Sequence, residues 1–237
     1  MFFFKKQPTF QSSGFFNGFT DYHCHILPGV DDGVKTLDES LGILSEYERL
    51  GIKSVWFTPH VMEDVPNTTE GLRLRFEALK AAYKGGLDLH LAAEYMLDGE
   101  FDHRLANSDF LPLGKEGTHI LVETSFFNSP IRMEQILREI MAKGYFPVLA
   151  HPERYMYISD QKGYTRLTDM GVKLQLNLGS LAGMYGNTAR RKAEMLIKAG
   201  AYSYTGTDLH NITMLQTILR AKSRAIKASI KTADIKS

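Results

Sequence analysis

The sequence predicts an α/β fold, a TIM-like barrel of parallel strands, and three observations lead to it. Short runs rich in β-branched and aromatic residues alternate with helix-period segments from residue 20 onward. Seven such strand–helix units fit a chain of 237 residues as one domain. Residue types that ligate metals fall at the carboxyl ends of successive strand runs, which a barrel gathers into one mouth. Alternation with right-handed crossovers also suits a doubly wound sheet; the placement of the polar residues favours the barrel.

The expected strands are 20–26, 52–58, 87–94, 118–124, 146–151, 172–178 and 202–208. Thr36 and Glu39 form a capping box for the first helix and Gly51 closes it. In 69–84, Leu72, Phe76, Leu79 and Tyr83 recur at helical spacing and put one stripe on the core. Pro130 opens and Gly144 closes a later helix, and Asn187 and Gly200 bracket another. A last amphipathic helix is expected over 212–231, with Leu215, Ile218, Leu219, Ile226 and Ile230 inward and Arg220, Lys222, Arg224, Lys227 and Lys231 outward. Residues 1–19 read as an aromatic arm that packs Phe2, Phe3, Phe4, Phe15 and Phe16 onto the domain or onto a neighbouring subunit, which leaves a homo-oligomer open. Residues 20–237 then form the single barrel.

Composition narrows the function classes. With 43% hydrophobic and 23% charged residues the chain is an ordinary globular protein. Its 28 Lys and Arg against 27 Asp and Glu leave a formal +1, so nothing draws it to nucleic acid or to an anionic membrane. Cys24 is the single cysteine and cannot close an intrachain disulfide, which makes the cytoplasm the natural compartment. No apolar run reaches the roughly 20 residues of a membrane span. The order of Phe and Lys at the start is the reverse of a secretory signal.

Nine candidate metal ligands follow the strand ends. His23 and His25 lie on the first, Asp32 just beyond it, His60 after the second and Glu94 on the third. Glu123 ends the fourth, His151 the fifth, and Asp208 and His210 the seventh. In a strand, residues two apart face the same side, so His23 with His25 and Asp208 with His210 can each share an ion. Four clustered carboxylates would repel one another unless cations neutralised them. Imidazole and carboxylate without thiolate suit manganese, iron or zinc. Nine ligands can serve two or three divalent ions. Against the four carboxylates, two ions leave zero net charge and three leave +2, which fits a phosphate dianion. Arg154 follows His151 by three positions in HPERY, over the same mouth, where its planar fork can grip phosphate oxygens. His90, His103 and His119 are expected to be structural or exposed, and Cys24 to be core packing.

Together DYHCHILPGVDDG, TPH, Glu94, VET, AHPERY and TDLHN resemble the polymerase and histidinol phosphatase (PHP) superfamily, from about residue 20 to 215. HCHILPGVDDG and HPERY resemble, within it, the bacterial manganese-dependent protein-tyrosine phosphatases of capsule and exopolysaccharide operons. The resemblance implies a distorted (β/α)7 barrel with a trinuclear metal site. It implies removal of phosphate from the tyrosine-rich tail of a membrane-anchored tyrosine kinase that controls polysaccharide export. The residues themselves suggest a mechanism in which a hydroxide bridging two ions attacks phosphorus, Arg154 holds the phosphoryl oxygens, and His60 or His210 protonates the leaving group. A second phosphate-binding arginine of that pattern is absent where Leu215 stands, and the nearest is Arg220. Histidinol phosphatase or another small-molecule phosphoesterase of the superfamily shares the same residues. A metal-dependent amidohydrolase commonly has a bridging lysine where Glu123 stands, and a non-catalytic metal-binding protein is the rival of a different class.

Overall fold

A computed structural model describes residues 7–222. Nine strands are seen where seven were expected: β1 (Thr20–Cys24), β2 (Ser54–Phe57), β3 (His60–Val61), β4 (Asp88–Leu91), β5 (Glu94–Met96), β6 (His119–Glu123), β7 (Phe146–Ala150), β8 (Lys173–Asn177) and β9 (Tyr202–Gly206). The excess arises because two positions are each split in two. Thr58 and Pro59 separate β2 from β3, and Ala92 and Ala93 separate β4 from β5. Pro59 has no N–H to give to a ladder, which ends regular pairing there. Backbone bonds still bridge the gap, from Ala92 N to Phe57 O at 2.8 Å and from Glu94 N to Pro59 O at 3.1 Å.

Every strand ladder is parallel, with β1-β2-β4 in one sheet and β3-β5-β6-β7-β8-β9 in the other. The sheets meet beyond β1 and β9, where Asp208 N donates to His23 O at 2.7 Å and His25 N to Leu209 O at 2.9 Å. The seven strand positions thus follow one another in the order of a distorted barrel.

The helices are α1 (Leu37–Leu50), α2 (Thr69–Ala82), α3 (Gly99–Asn107), α4 (Met133–Ala142), α5 (Gln161–Asp169), α6 (Leu178–Leu181), α7 (Gly186–Ala199) and α8 (Ile212–Arg220). The capping box of Thr36 and Glu39 is formed, and Gly51 and Gly200 close α1 and α7 in the left-handed conformation. At α4 the chain makes one more turn after Pro130, whose carbonyl accepts from Met133 N, and the helix starts at Met133. The final helix is shorter than expected. It stops at Arg220, and Ala221 turns extended and accepts from Phe10 N at 3.1 Å. Residues Arg224, Ile226, Lys227, Ile230 and Lys231 of that expected helix lie outside the described residues.

Phe10, Phe15, Phe16 and Phe19 of the arm are at most 5% exposed and join the main core, their rings meeting edge-on at 5.0–5.5 Å in three pairs. Phe2, Phe3 and Phe4 lie outside the described residues. Strand alternation divides the rest of the interior. On β6, Ile120 and Val122 join the main cluster, and Leu121 joins a small inner one with Trp56, Ala92, Val148, Ala150 and Tyr204. Glu123, two residues past Leu121, shares its face and lies above that inner layer, at the carboxyl end of the strand. Cys24 is fully buried, with its thiol 3.4 Å from Trp56 O. His90 stacks on Trp56 and His119 on Phe146, both away from the mouth.

Candidate metal centre

All nine candidate ligands come together at the carboxyl ends of the strands. Their donor atoms form three overlapping groups, each within 4.8 Å: His25, Asp32, His60 and His210; His23, His25 and Glu94; and His60, Glu94 and Glu123. His151 Nε2 lies 3.0 Å from Glu94 Oε1, and Asp208 Oδ1 lies 3.2 Å from His25 Nε2. Glu94 is the hub. One of its oxygens is 3.2–3.3 Å from nitrogens of His23, His25 and His60, and the other meets His151.

The local chain geometry is specialised for this convergence. His151 (φ 34°) and Asp208 (φ 52°) are two of three non-glycine residues with left-handed backbone among the described residues. A Cβ at Gly33 would lie 1.8 Å from His25 O, so only glycine lets the DDG loop close over that histidine. A Cβ at Gly206 would lie 2.4 Å from His23 Cβ.

Whether these residues fit divalent cations follows from where the ring protons must be. His210 Nδ1 is 2.9 Å from Asp208 O, a carbonyl that can only accept, so Nδ1 carries the proton. Its Nε2 lone pair then faces Asp32 Oδ1 at 3.3 Å. His25 Nδ1 is 2.9 Å from the Asp31 carboxylate, and His23 Nδ1 is 3.0 Å from Gln175 Oε1, whose amide is oriented by its own bond to Leu176 O. The two Nε2 atoms therefore aim lone pairs at each other across 3.0 Å, and at Glu94. His60 Nδ1 and Glu123 Oε1, 3.0 Å apart, are buried with no hydrogen bond. Lone pairs facing carboxylates are repulsive until a cation or a proton lies between them. The donor set fits divalent metal ions.

Burial alone would lower the pKa of His23, but Glu94 and Asp208 outweigh it and push it up to about 9. His25 is likewise raised well above the usual range, against its burial, by Asp208, Asp31 and Glu94. The same contacts hold Glu94 and Asp208 well below the ordinary carboxylate range in spite of burial, and the neighbouring His210 imidazole depresses Asp32. Metal binding must therefore displace protons. His23, charged in the metal-free fold, stabilises that fold below about pH 6.5, and this contribution is lost as pH rises through about 9. Each displaced proton makes metal affinity rise by up to about tenfold per pH unit over the same window. The gain in Tm on adding manganese should be larger near pH 8.5 than near pH 6.5 by calorimetry, and a gain that shrinks with pH would contradict these proton positions.

Arg154 closes one side of the mouth from a 3₁₀ turn, Pro152–Arg154. Its guanidinium carbon sits 4.2 Å from the centre of the Phe126 ring and 4.0 Å from that of Tyr185, a sandwich that fixes its plane. Nη1 donates to Asp208 Oδ2 at 2.9 Å, an oxygen that also accepts from Asn177 Nδ2 at 2.7 Å. Arg220, by contrast, is exposed near the end of α8.

Sequence reading passed over several supporting residues. Asp31 was hidden beside Asp32, yet its side chain is fully buried and orients His25, while that of Asp32 is 70% exposed. Gln175 faces the mouth from β8, and Phe126 and Tyr185 come from loops; only the two adjacent acids of DDG offered a signal.

Comparison with known proteins agrees with this geometry. The family profile described as capsular polysaccharide synthesis, CpsB/CapC, matches residues 19–234. Tyrosine-protein phosphatase YwqE of Bacillus subtilis (strain 168) is 32% identical over 197 residues, covering 81% of this chain and 77% of its own. The putative tyrosine-protein phosphatase CapC of Staphylococcus aureus is 27% identical, over 88% of this chain and 84% of its own. Crystal structures of YwqE and of CpsB from Streptococcus pneumoniae describe them as metal-dependent tyrosine phosphatases. A chain from that work superposes with a TM-score of 0.75 at 29% identity, covering 92% of this chain and 88% of its own. With a profile that spans nearly the whole chain and a relative above 30% identity, this protein belongs to the CpsB/CapC family.

Proposed function

We propose that the chain is a metal-dependent protein-tyrosine phosphatase of capsule or exopolysaccharide synthesis, acting in the cytoplasm on the phosphorylated tail of a membrane-anchored tyrosine kinase. The observation that carries this reading is the set of nine imidazole and carboxylate groups at one mouth, with a clamped arginine beside it. No helix among the described residues is long and apolar enough to cross a membrane. Relatives at up to 32% identity carry the tyrosine phosphatase name.

His23, His25, Asp32, His60, Glu94, Glu123, His151, Asp208 and His210 would hold two or three divalent ions, manganese first among them. When bound, such ions lower the pKa of water and offset charge on the phosphoryl oxygens. The protein's own part is positioning. Arg154, rigid between two rings, presents its guanidinium to the phosphoryl group from the rim, where it remains 19% exposed. His60 and His210, 14% and 19% exposed, lie at the open side; His210 gives its Nδ1 proton to Asp208 O and turns Nε2 to the metal site, so His60 would be the one to pass a proton to a departing phenolate. A phenol with a pKa near 10 needs little such help. Asp31 and Gln175 hold His25 and His23 with their Nε2 atoms turned inward.

The test is turnover by the manganese-loaded chain of a phosphotyrosyl peptide, p-nitrophenyl phosphate and histidinol phosphate. The proposal expects the two aryl phosphates to be hydrolysed and histidinol phosphate to be poor. A preference for histidinol phosphate would reassign the chain to small-molecule chemistry.

A further inference from the structure

A groove of about 480 Å³ starts at the exposed edge of the metal centre and runs away from it between the first half of α1 and the start of α8. One end is formed by Asp32 and His210, so whatever fills the groove touches the site where phosphate would sit. Its lining mixes apolar side chains, Val34 and Ile43 buried and Ile212 42% exposed, with the polar groups of Lys35, Glu39 and Asn211. The two charged groups along it are already engaged. Glu39 accepts from the backbone of Lys35 and Thr36 at 2.9 and 3.1 Å, and Lys35 Nζ donates to Asp31 O at 2.6 Å. Gly42 belongs to the lining as well, and a Cβ built on it meets nothing within 4 Å. A glycine in the middle of a 14-residue helix is unfavourable for the helix, and here it keeps the groove open.

We infer that this groove is a subsite for an apolar side chain flanking the phosphotyrosine of a peptide substrate, and so selects the phosphorylated segment. The inference rests on the phosphatase reading. Seven of the nine metal-centre side chains are less than 15% exposed, and the centre opens at Asp32, His60 and His210, so a phosphoryl group enters over this rim. A peptide chain anchored there passes the groove, where the exposed Ile212 surface favours an apolar occupant and the Asp32 and Glu39 carboxylates disfavour an acidic one.

Gly42→Leu tests it, because leucine favours the helix and its side chain would occupy the groove. The measurement is kcat/KM of the manganese-loaded full chain on p-nitrophenyl phosphate and on two phosphotyrosyl peptides, flanked by Leu or by Asp. The wild type should prefer the Leu peptide by roughly tenfold or more, the scale of filling an apolar pocket. Gly42→Leu should erase that preference while the small substrate changes less than about twofold. Ile212→Asp, at an exposed position, should erase it too. Equal turnover of both peptides by the wild type overturns the inference. So does a Gly42→Leu loss that is the same for p-nitrophenyl phosphate, which would give the groove to the leaving group itself. Failure of the metal-loaded wild type on every aryl phosphate defeats the phosphatase reading instead.

Discussion

Glu94→Gln should strip the protein of most of its metal and lower p-nitrophenyl phosphate turnover by on the order of 10³-fold. The substitution keeps the volume and shape of a fully buried side chain, so packing is not the cause. What changes is charge and donor pattern. The carboxylate lies within 3.3 Å of nitrogens of His23, His25, His60 and His151, and an amide at this hub removes one negative charge and can put N–H groups where lone pairs must converge. Cys24→Ser is the informative contrast. The thiol is buried, burial above all pushes its pKa well up, and it packs against Trp56, so its loss should leave turnover within about twofold. Abolition by Cys24→Ser with Glu94→Gln intact would reverse the assignment from metal to thiol chemistry.

Arg154→Ala should raise KM and lower kcat/KM for aryl phosphates by roughly 10- to 150-fold, the scale of one charge-assisted, geometrically matched contact. Metal content should stay near that of the wild type, because Asp208 keeps its bond from Asn177. The aromatic sandwich makes a sharper test possible. If Phe126 and Tyr185 act by fixing the guanidinium plane, Tyr185→Leu should cost activity when Arg154 is present and cost little in an Arg154→Ala background. Tyr185→Phe should restore it, since a ring face is what the clamp needs. Additive losses in the double variant would show that Tyr185 acts elsewhere.

Much of this site is visible in the amino-acid order because strands have a period of two and parallel barrels put every strand's carboxyl end on one rim. That logic locates His23 and His25, Glu123 and His151 without coordinates. It does not locate the break after Phe57, which moves His60 onto a short strand of its own beside Glu94. Nor does it reveal the residues that tune the ligands. Asp31 and Asp32 are neighbours, and only the turn closed by Gly33 decides which buries and which faces water. Phe126 and Tyr185 are 59 positions apart and meet through Arg154, a proximity that no local periodicity encodes. The shorter last helix has the same origin: the arm's Phe10 takes the carbonyl of Ala221, a long-range bond that ends the helical run.

Elemental analysis of the purified full chain, alongside a manganese titration of p-nitrophenyl phosphate turnover, most directly tests the claim that the converging lone pairs exist to hold cations. Two or three equivalents of divalent metal per chain are expected, with turnover lost on chelation and recovered in step with reloading. Full turnover by protein that has been stripped of metal, or a chain that takes up none, would contradict the account.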